Sequence, residues 1–204
     1  MVLGKVRIFM KVQYVKFFSI TERISNLFFL NLLWIIACLP IFTIFPSTAA
    51  MFGVFREWVT KKETRIFRIF FQKFKENFKQ SMVLELAWLF YLGIAFANLS
   101  ILDNFNSVFR TVILSILISI GILLFLMSIY MVTLMVHYNL SIPTLWKNSF
   151  LLSLTCLPST FLVILIICVM AAITYFLPIV LIFVFSVTAY LLFLLCFRAI
   201  IGII

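Results

Sequence analysis

The chain reads as an all-α membrane protein, a polytopic bundle of transmembrane helices, and three observations predict it. First, 66% of its 204 residues are hydrophobic, 26 are phenylalanine, only 11% are charged, and the mean hydropathy is +1.28. Soluble domains are about half apolar and about a quarter charged, so a water-soluble fold of this length cannot hide so much apolar surface. Second, four apolar runs each reach the ~20 residues needed to cross a bilayer: Met82 to Leu102, Thr111 to Val136, Leu151 to Leu177 and Pro178 to Phe197. Among these only the first contains a charge, Glu85. Third, the basic residues gather in the segments between apolar runs, as they do where membrane proteins meet anionic headgroups. Lipid offers no partners to open backbone, so the runs must be helices.

The connections are short. Asp103 to Ser107 is a polar turn, and Pro178 opens the last span, where its missing N–H costs nothing. Between His137 and Asn148, Ser141 and Pro143 form an N-cap followed by a helix-starting proline. A short interfacial helix is expected there, running on into the span at Leu151. No Gly/Ser/Pro-rich linker divides the chain, so residues 1–204 are read as one integral membrane domain.

The first apolar region, residues 24–59, is too long for one crossing, since a straight helix of that length would measure about 54 Å. Pro40 and Pro46 fall in its middle, and each removes a backbone donor. Ser47 and Thr48 then offer a new N-cap. The region is expected to be a helical hairpin: Ile24 to Leu39 in, a turn through Pro40 to Pro46, and Ser47 to Val59 back. The basic residues choose between hairpin and single crossing. A hairpin puts fifteen of the sixteen Lys and Arg on the cytoplasmic side and leaves only Arg110 outside; a single crossing divides them ten to six either way. The positive-inside rule favours the hairpin, with both termini and the basic residues 1–23 in the cytoplasm. The arms are short enough that the tip either crosses fully or stops at mid-membrane. The run from Ile24 to Phe45 is too long for a signal-peptide core, and no cleavage is expected.

Residues 61–80 form the most informative polar segment. Phe67, Phe71, Phe74 and Phe78 recur at helical spacing, with Arg65, Arg68, Lys73, Lys75 and Lys79 around much of the rest. An amphipathic helix over Thr64 to Lys79 is expected to lie on the inner leaflet, either as an anchor or as a docking surface for a cytoplasmic partner.

Other classes find less support. A net charge of +10 would suggest nucleic acid in a soluble protein, but no reader motif is present. Cys38, Cys156, Cys168 and Cys196 sit in apolar runs without a CxxC pair, so they read as small buried hydrophobes, and neither a metal nor a cofactor is expected. Six acidic residues without a catalytic motif argue against an enzyme. Transport coupling would need ionisable groups at mid-membrane. Glu85, Arg110 and His137 fall near span ends, and Glu85 reads as a charge in the first turn of its own helix. A polar cavity lined by Asn31, Thr43, Ser47, Thr48 and Asn98 would favour a transporter; a closed apolar bundle would count against one.

The string from Asn31 to Met51, NLLWIIACLPIFTIFPSTAAM, resembles the opening of the YesL-type bacterial membrane proteins, a family of unknown function. Phe74 to Gln80, with Lys75, Asn77, Phe78 and Lys79, resembles that family's motif after the first hairpin, and Trp146-Lys147-Asn148 with Leu157-Pro158 resembles its later half. Phe45 stands where the family usually has glycine, which implies a wider hairpin tip here. The resemblance implies a Gram-positive plasma membrane and, through neighbouring genes of carbohydrate uptake, an accessory or scaffold role beside an oligosaccharide importer; an independent small-molecule transporter or channel is the alternative. It brings no catalytic or ligand residues. From the sequence itself, the candidate pivot is Asn31, Pro40, Pro46, Ser47 and Thr48, and the candidate partner or headgroup contacts are Arg65, Arg68, Phe74, Lys75, Asn77, Phe78 and Lys79.

Overall fold

The computed structural model describes residue 22 and residues 24–60, 65–101, 107–138, 140–155 and 157–201. Among these the chain is helical, without a strand: α1 (Ile24–Ala37), α2 (Ile44–Thr60), α3 (Ile66–Ile101), α4 (Ser107–His137), α5 (Ile142–Thr155), α6 (Leu157–Phe176) and α7 (Leu181–Ile201). Three of these, α3, α4 and α6, are long and apolar enough to cross a membrane. The fold is a helical membrane bundle. The basic N-terminus with Lys5, Arg7, Lys11, Lys16 and Arg23, the residues Lys61 and Lys62, Cys156, and Asp103 to Asn106 lie outside the described residues.

The helical hairpin is present, but it turns earlier than two prolines would suggest. Pro40 is extended (φ −75°, ψ 118°), and a 3-10 turn over Ile41–Thr43 leads directly into α2. Pro46 lies inside the first turn of α2, where a missing N–H breaks no helical bond. The helix therefore resumes before Ser47, and Phe45 sits within it rather than in a turn that would favour glycine. The Thr43 hydroxyl lies 2.5 Å from the Ala37 carbonyl and 2.6 Å from that of Pro40, supplying a partner where the chain leaves helical geometry. Across the hairpin, the Trp34 indole N–H donates to Thr48 Oγ1 at 3.1 Å.

The returning arm α2 is the centre of the bundle. Ala49, Ala50, Met51, Phe52, Val54 and Phe55 are all buried. Around them pack Leu30 and Leu33 of α1, Ile66, Ile69, Phe70 and Leu84 of α3, Tyr130, Met131 and Met135 of α4, and Leu192 and Phe193 of α7. Gly53 admits a close contact: a Cβ there would stand 2.8 Å from Lys73 Cβ and 2.6 Å from its Cγ, so only glycine lets the Lys73 stem lie on the α2 backbone.

Two expected boundaries move. The expected segments 61–80 and 82–102 are joined, over their described residues, in one continuous helix, α3, about 54 Å long. Hydropathy changes near residue 81, but Gln80-Ser81-Met82 contains no breaker, so nothing interrupts the backbone ladder. Conversely, the expected span Leu151–Leu177 is divided between α5, which ends at Thr155, and α6, which begins at Leu157. Pro158 in the first turn of α6 cannot donate to the carbonyl of Leu154, which ends the preceding helix. Pro178 opens a 3-10 turn, Pro178–Val180, one step ahead of α7.

Hydroxyls in the apolar helices mostly bond to their own backbones. Ser115, Ser119, Ser128 and Thr133 of α4 each donate to the carbonyl four residues back.

Candidate functional site

Three features of the bundle could carry function: the clamp on the hairpin tip, the basic end of α3, and a cavity between helices.

The clamp begins with a helix that restarts after a proline, and Thr43 just before it turns its hydroxyl back to the Ala37 and Pro40 carbonyls instead of capping it. Its early N–H groups need an acceptor, and lipid offers none. The Phe45 N–H donates to Glu85 Oε2 of α3 at 2.9 Å. Glu85, 4% exposed, thus works as the N-cap of another helix, forty residues away in sequence. The expected capping by Ser47 or Thr48 is not what forms, because α2 starts at Ile44 and Thr48 Oγ1 donates to the Ile44 carbonyl instead. The bond also fixes the level of the tip: α3 runs on for about 24 Å beyond Glu85. The hairpin therefore ends partway along the long helices, with Leu39, Ile41 and Phe42 exposed at its tip.

At the opposite end of α2, an Arg56 guanidinium N–H donates to the Val136 carbonyl of α4 at 2.8 Å. Lys73 Nζ lies 2.7 Å from Glu76 Oε2 and 3.7 Å from Glu57 Oε1, joining α3 to α2. Gln80 donates to the Leu140 carbonyl at 3.0 Å. The face of α3 packed inward here is Ile66, Ile69, Phe70, Asn77 and Ser81, with Lys73 half-buried among them. The phenylalanine stripe read from the sequence divides: Phe74 and Phe78 are half-buried, while Phe67 and Phe71 are exposed. Arg65, Arg68, Lys75 and Lys79 share that exposed side. The physical reason is local. Gly53 and Glu57 of α2 draw Lys73 inward, and this sets the rotation of α3.

The third feature is a cavity of about 700 Å³. Its walls come from Trp34 of α1, Phe45, Thr48 and Phe52 of α2, Trp88 of α3, and facing stretches of α4, α6 and α7. Its lining carries no charged side chain. Trp88 donates to Ser128 at 2.8 Å, Ser128 donates to the Leu124 carbonyl, and Thr174 donates to the Met170 carbonyl.

Of the residues singled out in the sequence, Asn31 and Ser47 are buried, Pro46 is buried in α2, and Pro40 is exposed at the turn. Thr48 alone among Asn31, Thr43, Ser47, Thr48 and Asn98 borders the cavity. Among the described residues no group of three His, Cys, Asp or Glu is placed to hold a metal. Cys196 is buried, Cys38 half-buried and Cys168 exposed, so the expectation of burial fails for Cys168. The two groups that sequence reasoning missed are Glu85 as a cap and Trp88 as a cavity wall. Neither had a local signal in the sequence, since each acts through a partner forty residues away.

Residues 27–99 match a family described as "Protein of unknown function, DUF624". Three uncharacterised proteins of Bacillus subtilis (strain 168) are similar. YesL is 28% identical over 134 residues, 64% of this chain and 63% of that protein. YteU is 29% identical over 143 residues, 68% of this chain and 64% of that protein. YesV is 30% identical over 123 residues, 58% of this chain and 59% of that protein. The chain thus spans about three fifths of the length of these curated relatives. No solved structure matches it.

Proposed function

For this chain, a YesL-type membrane protein of unknown function through its DUF624 segment, we propose a non-enzymatic accessory role: a plasma-membrane scaffold that docks a cytoplasmic partner, a subunit of an oligosaccharide importer. The observation that carries this reading is the outward side of the first half of α3. Arg65, Phe67, Arg68, Phe71, Lys75 and Lys79 are exposed together, while the opposite side is held to α2 by the Lys73–Glu57 pair and the Gly53 contact. A rigid helix face with exposed aromatic and basic side chains suits a partner surface or anionic headgroups. The carbohydrate connection rests on the gene context implied by the family resemblance. The same reading puts both flanks of the hairpin in the cytoplasm, on the basic count.

A transporter or channel draws support from the cavity, but its apolar walls suit a polar solute poorly, since each unpaired hydroxyl would face hydrocarbon.

The test replaces Arg65, Arg68, Lys75 and Lys79 with serine in the native host. Exposed charges contribute up to about 1 kcal/mol each, so partner affinity is expected to fall about tenfold or more. Oligosaccharide uptake should drop with it, at unchanged membrane abundance. Uptake equal to wild type with the variant fully inserted would contradict the proposal.

A further inference from the structure

The cavity between the hairpin and helices α3, α4, α6 and α7 has an open side. Phe125 of α4, Ala171 and Tyr175 of α6, and Phe185 of α7 line it and are exposed, whereas Met51, Phe52, Val132 and Leu192 form a buried floor. Phe125, Ala171 and Tyr175 lie on α4 and α6, two of the helices long and apolar enough to cross a membrane, so the opening is set to face lipid. We propose that this cavity is a binding site for one acyl chain of a membrane phospholipid.

Volume, lining and setting select that occupant. At about 30 Å³ per heavy atom, the liquid-volume share of a water-sized group, the cavity of about 700 Å³ matches one long alkyl chain with part of its ester. A transmembrane helix of a second copy is a poorer match: about 10 Å wide over about 30 Å of hydrocarbon, it fills roughly 2,300 Å³ and would enter only in part. A sugar or other polar solute would need free donors and acceptors. The indole N–H groups of Trp34 and Trp88 are instead taken by Thr48 and Ser128, and the hydroxyls of Thr48, Ser128 and Thr174 donate to their own helices. What the walls offer is aromatic and aliphatic contact: Trp34 stacked on Phe185 at 4.8 Å, and Trp88 against Phe45 at 6.4 Å. The Tyr175 hydroxyl at the rim, on a residue 82% exposed, is the group able to meet the ester region of the lipid. The site is separate from the docking side of α3, so either proposal can fail without the other.

Two tryptophans in the wall make the site readable by fluorescence. The full chain carrying Trp58→Phe and Trp146→Phe, in detergent, is titrated with phosphatidylglycerol brominated across its oleoyl double bond. Quenching of Trp34 and Trp88 is expected to saturate near one lipid per chain, and native mass spectrometry should find one phospholipid retained per wild-type chain. Filling the open side with Ala171→Phe or, separately, Thr174→Phe should weaken the titration at least tenfold and remove the retained lipid. Two fillers keep the test decisive if one of them disturbs folding, which circular dichroism reports. Quenching that rises with lipid fraction without saturating, equally in wild type and fillers, overturns the proposal. So does a retained mass that is not a phospholipid, or a stable dimer that both fillers dissociate, which would seat a second copy there.

Discussion

Replacing Glu85 with alanine is expected to destabilise the protein by about 2–3 kcal/mol, because it orphans the Phe45 N–H in a lipid environment. Water cannot repair this loss as it would at the end of a surface helix. The same bond holds α2, the most buried helix, at its level on α3, so its removal loosens the packing of the hairpin as a whole. Glu85→Gln separates the hydrogen bond from the carboxyl group itself. Its amide carbonyl can accept from Phe45 at the same place, and it should recover all but about 1 kcal/mol. Unfolding in mixed micelles with increasing denaturing detergent reads both variants. Equal loss in Glu85→Gln and Glu85→Ala would show that the carbonyl bond is not what the residue contributes.

Phe55→Ala is expected to cost a similar amount, about 2–3 kcal/mol, for a different reason. Phe55 is fully buried, with its ring 5.2 Å from that of Tyr190, 5.5 Å from Trp58 and 6.2 Å from Phe193. In a soluble core such a truncation costs about 3–5 kcal/mol, part of it the transfer of the ring from water. Between helices in lipid that part is absent, because the acyl chains are as apolar as the side chains. What remains is lost dispersion and the cavity left behind. Phe55→Leu, which refills much of the space, should therefore recover more than half of the loss in the same unfolding assay. A truncation without effect would mean that lipid or neighbouring side chains flow into the gap.

These two residues also mark what the sequence makes legible and what it hides. Composition and run length determine the class, since nothing but a helical membrane bundle suits so apolar a chain. Pro40 locates the break in the first region, and the basic residues on both sides favour its return. Helix ends are less legible where the signal is hydropathy alone. The polar-to-apolar change near Ser81 leaves the α3 backbone unbroken, while Pro158 divides a run that looks uniform. Burial is the least legible, because apolar periodicity has no fixed meaning in lipid: an apolar face can turn outward. Phe67 and Phe71 do so, while Lys73 turns inward toward Glu57 over a glycine. The Glu85–Phe45 bond and the cavity walls depend on pairings across tens of residues, which no local pattern records.

The central claim is that the first region enters the membrane and returns, with its tip clamped partway along α3. It is tested most directly by single cysteines, in a cysteine-free background, at Glu22, Thr60, Leu39, Ile41 and Val108, labelled with a membrane-impermeant maleimide in intact and opened cells. The account predicts that Glu22 and Thr60 react only after the cells are opened, that Val108 reacts in intact cells, and that Leu39 and Ile41 react in neither. Labelling of Leu39 or Ile41 in intact cells would mean that the hairpin crosses fully, and Glu22 and Thr60 on opposite sides would mean that it is no hairpin; either result would contradict the account.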